Sequence, residues 1–424
     1  MSDDASQQTS LDEIVGEYNR ETEDEAVDAG KLQEIDESPV EGWELCRLGE
    51  IFSLEYGENL TEDARDGGQY PVYGSNGLVG SHSEAYVDCP GIIVGRKGSI
   101  GEAEFSEGPF HPIDTTYYIS EYETDENLRF VHYLLENIQL SRLNAASAIP
   151  GLNRNDAYSL KGLLPPLQEQ RKIASVIYNV DKAIQKTEEI IQQTERLHTG
   201  LRRELVIAGI DHTEFQEMRV GPFTLEIPAS WDIVSIDEAC KNLDRDRIPV
   251  KQAKREEMQG DIPYYGASGI IDYVDDYLFD DDLILLAEDG ENLLSRNLPI
   301  SFKISGKAWV NNHAHVLKPR EGFDIDYLVE YFERLNYEPF VTGSAQPKLT
   351  QTNMDMLSVP KPPEEEQTEI SSKLTSVSDH KNRSEQYKQQ LQRLKKGLMQ
   401  DLLSGKVRTH SKDIEVLPEV EKHD

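Results

Sequence analysis

The sequence predicts an α+β protein made of two tandem repeats, each a mostly β globular unit followed by one long helix. Three observations carry this. The stretch Leu164-Pro165-Pro166-Leu167-Gln168-Glu169-Gln170 returns as Val359-Pro360-Lys361-Pro362-Pro363-Glu364-Glu365-Glu366-Gln367, a shift of 197 residues from Gln170 to Gln367. A seam of apolar and small residues, in steps of three and four, follows each copy. Short strand signals precede each copy in the same order. Self-similarity at one long period marks a duplicated structural unit.

The first helix is expected from about Leu167 to Leu205. Its seam runs through Ile173, Ile177, Val180, Ile184, Thr187, Ile191, Thr194, Leu197, Leu201 and Leu205. The second carries Ile370, Leu374, Val377, Ser384, Tyr387, Leu391, Leu394, Leu398 and Leu402. This spacing is of coiled-coil type. Both are expected to end in a basic turn, Leu201-Arg202-Arg203 and Leu394-Lys395-Lys396, suited to the negative end of a helix dipole. About 40 residues at 1.5 Å each make a rod of roughly 60 Å. Such a stripe must be buried, and the simplest partner is the other copy; the alternative is two helices packing on separate domains.

The globular units align through several blocks. Trp43 and Trp231 each stand beside a short strand signal. Tyr70-Pro71-Val72-Tyr73-Gly74-Ser75-Asn76-Gly77 matches Ile262-Pro263-Tyr264-Tyr265-Gly266-Ala267-Ser268-Gly269. Gly91-Ile92-Ile93-Val94-Gly95-Arg96-Lys97-Gly98 matches Leu283-Ile284-Leu285-Leu286-Ala287-Glu288-Asp289-Gly290, and Ser147–Leu152 matches Ser344–Leu349. β-Branched and aromatic runs between Gly, Asn and Asp turns read as strands. Helical pieces are expected at Asn127–Ile138 and Ile325–Leu335. The division is an acidic disordered tail (1–41), a first globular unit (42–163), a first spacer helix (164–209), a linker (210–229), a second globular unit (230–358), a second spacer helix (359–405) and a polar, solvated end (406–424).

The 424 residues carry a net charge of −36, with 43 Lys and Arg against 79 Asp and Glu. A basic surface is the usual footprint of nucleic-acid binding. Acidic residues spread through the whole chain also fit adaptation to a salt-rich cytoplasm, where like-charge repulsion is screened within a few Å. Local charge is therefore the better guide to partners. No apolar run approaches the roughly 20 residues of a membrane span, and the N-terminal stretch has no signal-peptide core; a cytoplasmic location is expected. Three isolated cysteines form no CxxC pair, which argues against zinc and against a disulfide framework. His313 and His315 alternate on an expected strand with no third ligand in sight, so no metal is expected.

The ordered set of Tyr-Gly-x-x-Gly, an apolar strand into a glycine turn, Pro-Pro-x-x-Glu-Gln and a long helix, present twice, resembles the specificity subunit of type I restriction–modification enzymes. The resemblance covers roughly Gly42 to Lys406 and rests on the order of the elements, since each motif alone is weak. Two departures stand out. The second Pro-Pro element is richer in glutamate, with three where the first has one, and Ala287-Glu288-Asp289 replaces Gly95-Arg96-Lys97, which puts a shared DNA-contact role for that turn in doubt. The resemblance implies that each globular unit is a target-recognition domain reading half of a split double-stranded DNA sequence. It implies that the helices pack as an antiparallel coiled coil separating the domains and carry two methyltransferase subunits, with restriction and translocase subunits completing the enzyme. One added helical turn, roughly 5 Å, would then lengthen the gap in the target without altering its halves. S-adenosylmethionine, ATP and Mg would belong to those partners, and the chain itself would be non-catalytic.

The residues agree with the last point. There is no Gly-x-x-x-x-Gly-Lys-Ser/Thr phosphate loop and no Asn-Pro-Pro-Tyr/Phe motif of the kind that holds a flipped adenine. Gly95–Gly101 reads either as a DNA-backbone contact through Arg96 and Lys97 or as a tight hairpin turn. Base readout needs paired donors and acceptors on loops. Candidates in the first unit are Tyr73, Ser75, Asn76, Arg96, Lys97, Asn153, Arg154 and Asn155. In the second they are Tyr265, Ser268, Asn292, Arg296, Gln346, Lys348, Gln351 and Asn353. The two tyrosines fit a core position equally well. A regulator that binds DNA alone and dimerises through its helices is the competing reading; a stand-alone enzyme is disfavoured by the missing methyltransferase motif.

Overall fold

The computed structural model describes residues 37–146, 151–343 and 346–421. Most of the expected acidic tail, and the Ser-Ala pairs of the last matched block, lie outside the described residues. In chain order, β1 (Glu44–Arg47) leads into α1 (Leu48–Ile51), then β2 (Glu55–Tyr56), β3 (Tyr70–Gly74), β4 (Gly77–His82), β5 (Gly91–Gly95), β6 (Ala103–Ser106), β7 (His111–Pro112) and β8 (Thr116–Ser120). Next come α2 (Leu128–Ile138), α3 (Arg154–Ser159), β9 (Lys161–Leu164) and the long α4 (Leu167–Ala208). A hairpin of β10 (Phe215–Val220) and β11 (Phe223–Pro228) occupies the expected linker, followed by β12 (Asp232–Ser235), α5 (Ile236–Ala239) and β13 (Cys240–Asn242). The second unit continues with α6 (Gln252–Arg255), β14 (Gln259–Gly266), β15 (Gly269–Val274), β16 (Phe279–Asp280), β17 (Leu283–Ala287), α7 (Asn292–Ser295), β18 (Ser301–Ile304), β19 (Lys307–Val310) and β20 (Ala314–Pro319). It closes with α8 (Ile325–Arg334), α9 (Gln351–Met354), β21 (Ser358–Lys361), the long α10 (Glu364–Leu403) and α11 (Pro418–Glu421).

The chain forms two compact units, one of residues up to Thr187 together with Gln386 onward, the other Glu188–Glu385. Each therefore takes part of both long helices. In the first, sheets run in the orders β2-β8-β5-β6 and β4-β3-β7, beside the pair β1-β9. In the second the equivalents are β13-β20-β17-β18, β15-β14-β19-β16 and β12-β21. β5 and β17 are buried on both faces, which explains their continuous apolar runs. Tyr73 and Tyr265 are partly buried and pack on these cores.

The repeated Pro-Pro-x-x-Glu-Gln motif has a definite structural task. The Gln170 side-chain oxygen accepts the N–H of Asn127 at 3.0 Å, and its amide donates to Pro165 O at 2.8 Å. Asn127 caps α2. Gln367 does the same for Asp324, the cap of α8, at 2.9 Å, and donates to Pro362 O at 2.9 Å. Each glutamine thus fastens the start of a long helix to the start of a short one. The neighbouring glutamates receive the paired tryptophans: Trp43 Nε1 donates to Glu169 and Trp231 Nε1 to Glu366, both at 3.0 Å.

The same glutamates receive the chain that leaves a long helix. Gly209 and Gly405, at φ +68° and +73°, end α4 and α10 in the left-handed conformation that glycine tolerates best. Beyond Gly209, Ile210 N–H donates to Glu366 at 3.1 Å and His212 Nε2 contacts it at 2.7 Å. Beyond Gly405, Arg408 forks onto both oxygens of Glu169 at 3.0 and 2.9 Å, and Thr409 N–H adds a bond of 3.1 Å. This corrects, over the described residues 406–421, the solvated end expected at 406–424. Val420 is fully buried, its carbonyl accepts from Asn127 Nδ2, and Lys172 reaches the Lys412 carbonyl. Polar composition hid a segment that packs by side-chain and backbone hydrogen bonds around a few apolar anchors.

The long helices run antiparallel. In the first unit Lys395 pairs with Asp181 at 2.8 Å; in the second Lys381 pairs with Glu195. Two expectations need correction. Leu197 is 54% exposed, while His198, 6% exposed, takes the seam position and meets Ser378 at 2.9 Å. Steps of three and four from Thr194 to Leu201 pass equally through 197 or 198; hydrophobicity pointed to Leu197, and burial selects His198. The basic turns do not end the helices, which continue to Ala208 and Leu403. A dipole acts within the last turn, so Arg202 and Lys395 serve instead as partners of Glu330 and of Asp181 with Glu136.

Candidate nucleic-acid interface

In the first unit the structure gathers most of the sequence candidates. The β3–β4 turn carries Ser75 and the exposed Asn76, closed by Gly77 at φ +93°. The turn after β5 lies against it: Ser99 donates its hydroxyl to Asn76 Oδ1 at 2.8 Å. Lys97 is exposed and 3.5 Å from Asp114. Arg96 O accepts the N–H of Leu152 at 2.9 Å, which brings Asn153, Arg154 and Asn155 alongside. Asn153 caps α3 by accepting the Asn155 N–H at 2.9 Å. Arg154 and Arg96 share one aromatic platform, with guanidinium carbons 4.5 and 5.2 Å from the Tyr56 ring centre. Burial, reinforced by a hydrogen bond to Tyr56, pushes the Tyr117 phenol beneath them up to about 12. Two nitrogens of Arg154 are buried there without a hydrogen-bond partner. The charge is held by cation–π attraction.

The second unit uses its candidates differently. Asn292 donates to Leu298 O at 2.9 Å and accepts Leu298 N–H at 2.7 Å, bracing its own loop; its reach to Ser268 is 3.4 Å. Arg296 donates to Leu335 O at 2.7 Å and to Glu333 O, stopping the C-terminal end of α8. Asn353 donates to Phe340 O at 2.6 Å. These three were expected as readers; here the donors of each are engaged by backbone carbonyls of the same unit. Lys348 reaches Glu288 at 3.0 Å. Ser268, on the β14–β15 turn, is half-buried, and Gln346 and Gln351 are exposed.

The glycine-turn substitution has a structural counterpart. Glu288, standing where the first unit has Arg96, accepts Arg247 at 2.6 Å as well as Lys348. Asp244 joins through Arg247 at 3.4 Å and His315 Nδ1 at 2.6 Å. Burial disfavours charge on Asp244, yet the contacts with His315 and Arg247 outweigh it and hold the carboxyl below its ordinary range. Glu288 is lowered in the same way. Asp244, Glu288 and His315 are close enough to ligate a cation. However, both carboxylates already face cations, and His315 Nε2 donates to Leu349 O at 2.8 Å, so both ring nitrogens are used. The group is an internal ion network. His313, expected on the strand, sits in the turn before β20 and pairs with Asp289.

The sequence reading missed one feature, the connection between β13 and β14. Residues 245–255 hold Arg245, Arg247, Lys251, Lys254 and Arg255 against Asp246 alone. A short-window charge count would have found it in so acidic a chain.

Residues 40–196 and 228–396 match the family described as the type I restriction modification DNA specificity domain. The chain belongs to this family. Among its relatives, a Haemophilus influenzae protein named as a type I restriction enzyme specificity subunit, S.HindORF215P, is 38% identical over 135 residues, 32% of this chain and 34% of that one. The match thus spans about a third of that relative. The MjaVIII specificity subunit of Methanocaldococcus jannaschii is 23% identical over 417 residues, covering 87% of this chain and 93% of that one. The fold is shared with the S subunit of a type I restriction–modification system from M. genitalium, at a TM-score of 0.61 and 16% identity, over 86% of this chain and 96% of that one. Among the described residues, no helix is long and apolar enough to cross a membrane.

Proposed function

We propose that this family member is the DNA-specificity subunit of a type I restriction–modification assembly. The globular units at 42–163 and 230–358 serve as target-recognition domains, each reading half of a split duplex sequence. The helical stretches at 164–209 and 359–405 serve as spacers that carry two methyltransferase subunits, with restriction and translocase subunits joining the complex in the cytoplasm. The chain performs no chemistry; S-adenosylmethionine, ATP and Mg are used by its partners. The observation that carries this reading is the duplication itself: two units of one topology, matched to a DNA-specificity family along both repeats. Within the first unit, Ser75, Asn76, Arg96, Lys97, Asn153, Arg154 and Asn155 are the proposed contacts. In the second, Ser268, Gln346, Lys348 and Gln351 remain candidates. The test is a genome-wide map of methylated adenines with and without this gene. Loss of methylation at one split motif on deletion supports the reading; an unchanged map with active methyltransferase partners contradicts it.

A further inference from the structure

The β13–β14 connection is built as a rigid arm. From beneath, Trp309 Nε1 donates to Ile248 O at 2.7 Å, and Val250 N–H donates to the hydroxyl of the buried Tyr264 at 3.2 Å. Arg255 ties the far end to Asp272 of the edge strand β15 and to Val250 O, both at 2.8 Å, and Arg247 ties the near end to Glu288. Two of the five cations are thus spent on anchoring. Arg245, Lys251 and Lys254 are exposed and pair with no carboxylate among the described residues. These three cations are open to an anionic partner outside the fold, in a chain with 79 acidic residues.

Resting on the DNA reading above, we infer that this arm is the phosphate-contact surface of the second unit, with Arg245, Lys251 and Lys254 supplying the charge. Three arguments favour duplex DNA over an acidic protein. The arm adjoins β15, the strand that leaves the Ser268 turn. Its backbone is fixed, as a register-setting contact to a regular phosphate array requires. The whole connection, 243–258, carries these five cations against Asp244, Asp246, Glu256 and Glu257, whereas the corresponding connection of the first unit, 57–69, carries Arg65 alone against Glu58, Glu62, Asp63 and Asp66, so the cations are specific to one unit and not a property of the loop.

The test uses the full chain in its native complex and a duplex bearing the split motif found by methylation mapping. Affinity is measured against salt for the parent and for the Arg245→Gln/Lys251→Gln/Lys254→Gln variant. Each lost phosphate contact should reduce the slope of log affinity on log salt by about 0.9, so a drop of roughly two to three is expected, with base preference unchanged. Glu62→Gln/Asp63→Asn in the first unit, the control, should leave the slope alone. A folded triple variant with the parent's slope and affinity overturns the arm, leaving the specificity reading intact. A parent that binds no motif-bearing duplex overturns both.

Discussion

In the first unit the cations beside the β3–β4 turn follow β5: Arg96 and Lys97, with Arg154 stacked on the same tyrosines. In the second unit that turn reads Ala287-Glu288-Asp289, and the cations stand instead on the arm before β14. The two changes are linked, because Glu288 receives Arg247 from the arm. The duplicated scaffold keeps its sheet order, caps and glutamate clasps while moving positive charge from one loop to another. Backbone topology is thus shared between the halves and loop electrostatics is not, which fits the proposed reading of two different half-sites.

The clasps are where the units are most alike, and breaking them should give the largest effects. Glu169→Ala leaves Arg408, Trp43 Nε1 and Thr409 N–H without their acceptor; Glu366→Ala does the same to Trp231, Ile210 and His212. Each should cost about 3 kcal/mol in urea unfolding of the full chain, as loss of one partner from a buried charged network does. The Glu169 clasp also has a pH signature. Burial opposes its charge, but the bonds from Arg408, Trp43 and Thr409 bring the carboxyl down to about 2 from an ordinary 4.5. Its contribution is complete above about pH 4.5 and lost as pH falls toward 2, so Glu169→Gln should flatten the acid limb of the stability curve. An unchanged limb would remove the clasp from the account.

Arg154→Ala should weaken DNA binding about tenfold at matched salt, within the roughly 1–3 kcal/mol of a good base or stacked contact, while assembly with methyltransferase survives. Unchanged binding would reduce Arg154 to a brace for Tyr56. A smaller contrast tests the helix seam. His198→Ala should cost about 1–2 kcal/mol through its lost polar contacts, whereas Leu197→Ala should stay within about 0.5 kcal/mol. A reversed order would restore Leu197 to the seam.

Much of this fold was legible because its signals were local and repeated. The tryptophans and the Pro-Pro-x-x-Glu-Gln motifs stood apart in sequence, and one indole–carboxylate bond in each unit joins them. Helix boundaries were close, but the ends were misjudged at Arg202-Arg203 and Lys395-Lys396, since cations that suit a helix terminus equally suit a nearby carboxylate. The end looked solvated because the docking of residues 406–421 depends on Glu169 and Asn127, far away in sequence. Among site residues, amides and guanidinium groups on loops have two uses that sequence does not separate. Asn76 and Lys97 face outward, while Asn292 braces its own loop and Arg296 and Asn353 donate to backbone carbonyls elsewhere in the second unit.

The measurement that bears most directly on two independent readers is a methylation map from a strain carrying Ser75→Ala/Asn76→Ala. The account predicts that one half of the split motif relaxes or changes while the other half and the gap are retained. A folded variant whose map changes in both halves, or in neither, would contradict it.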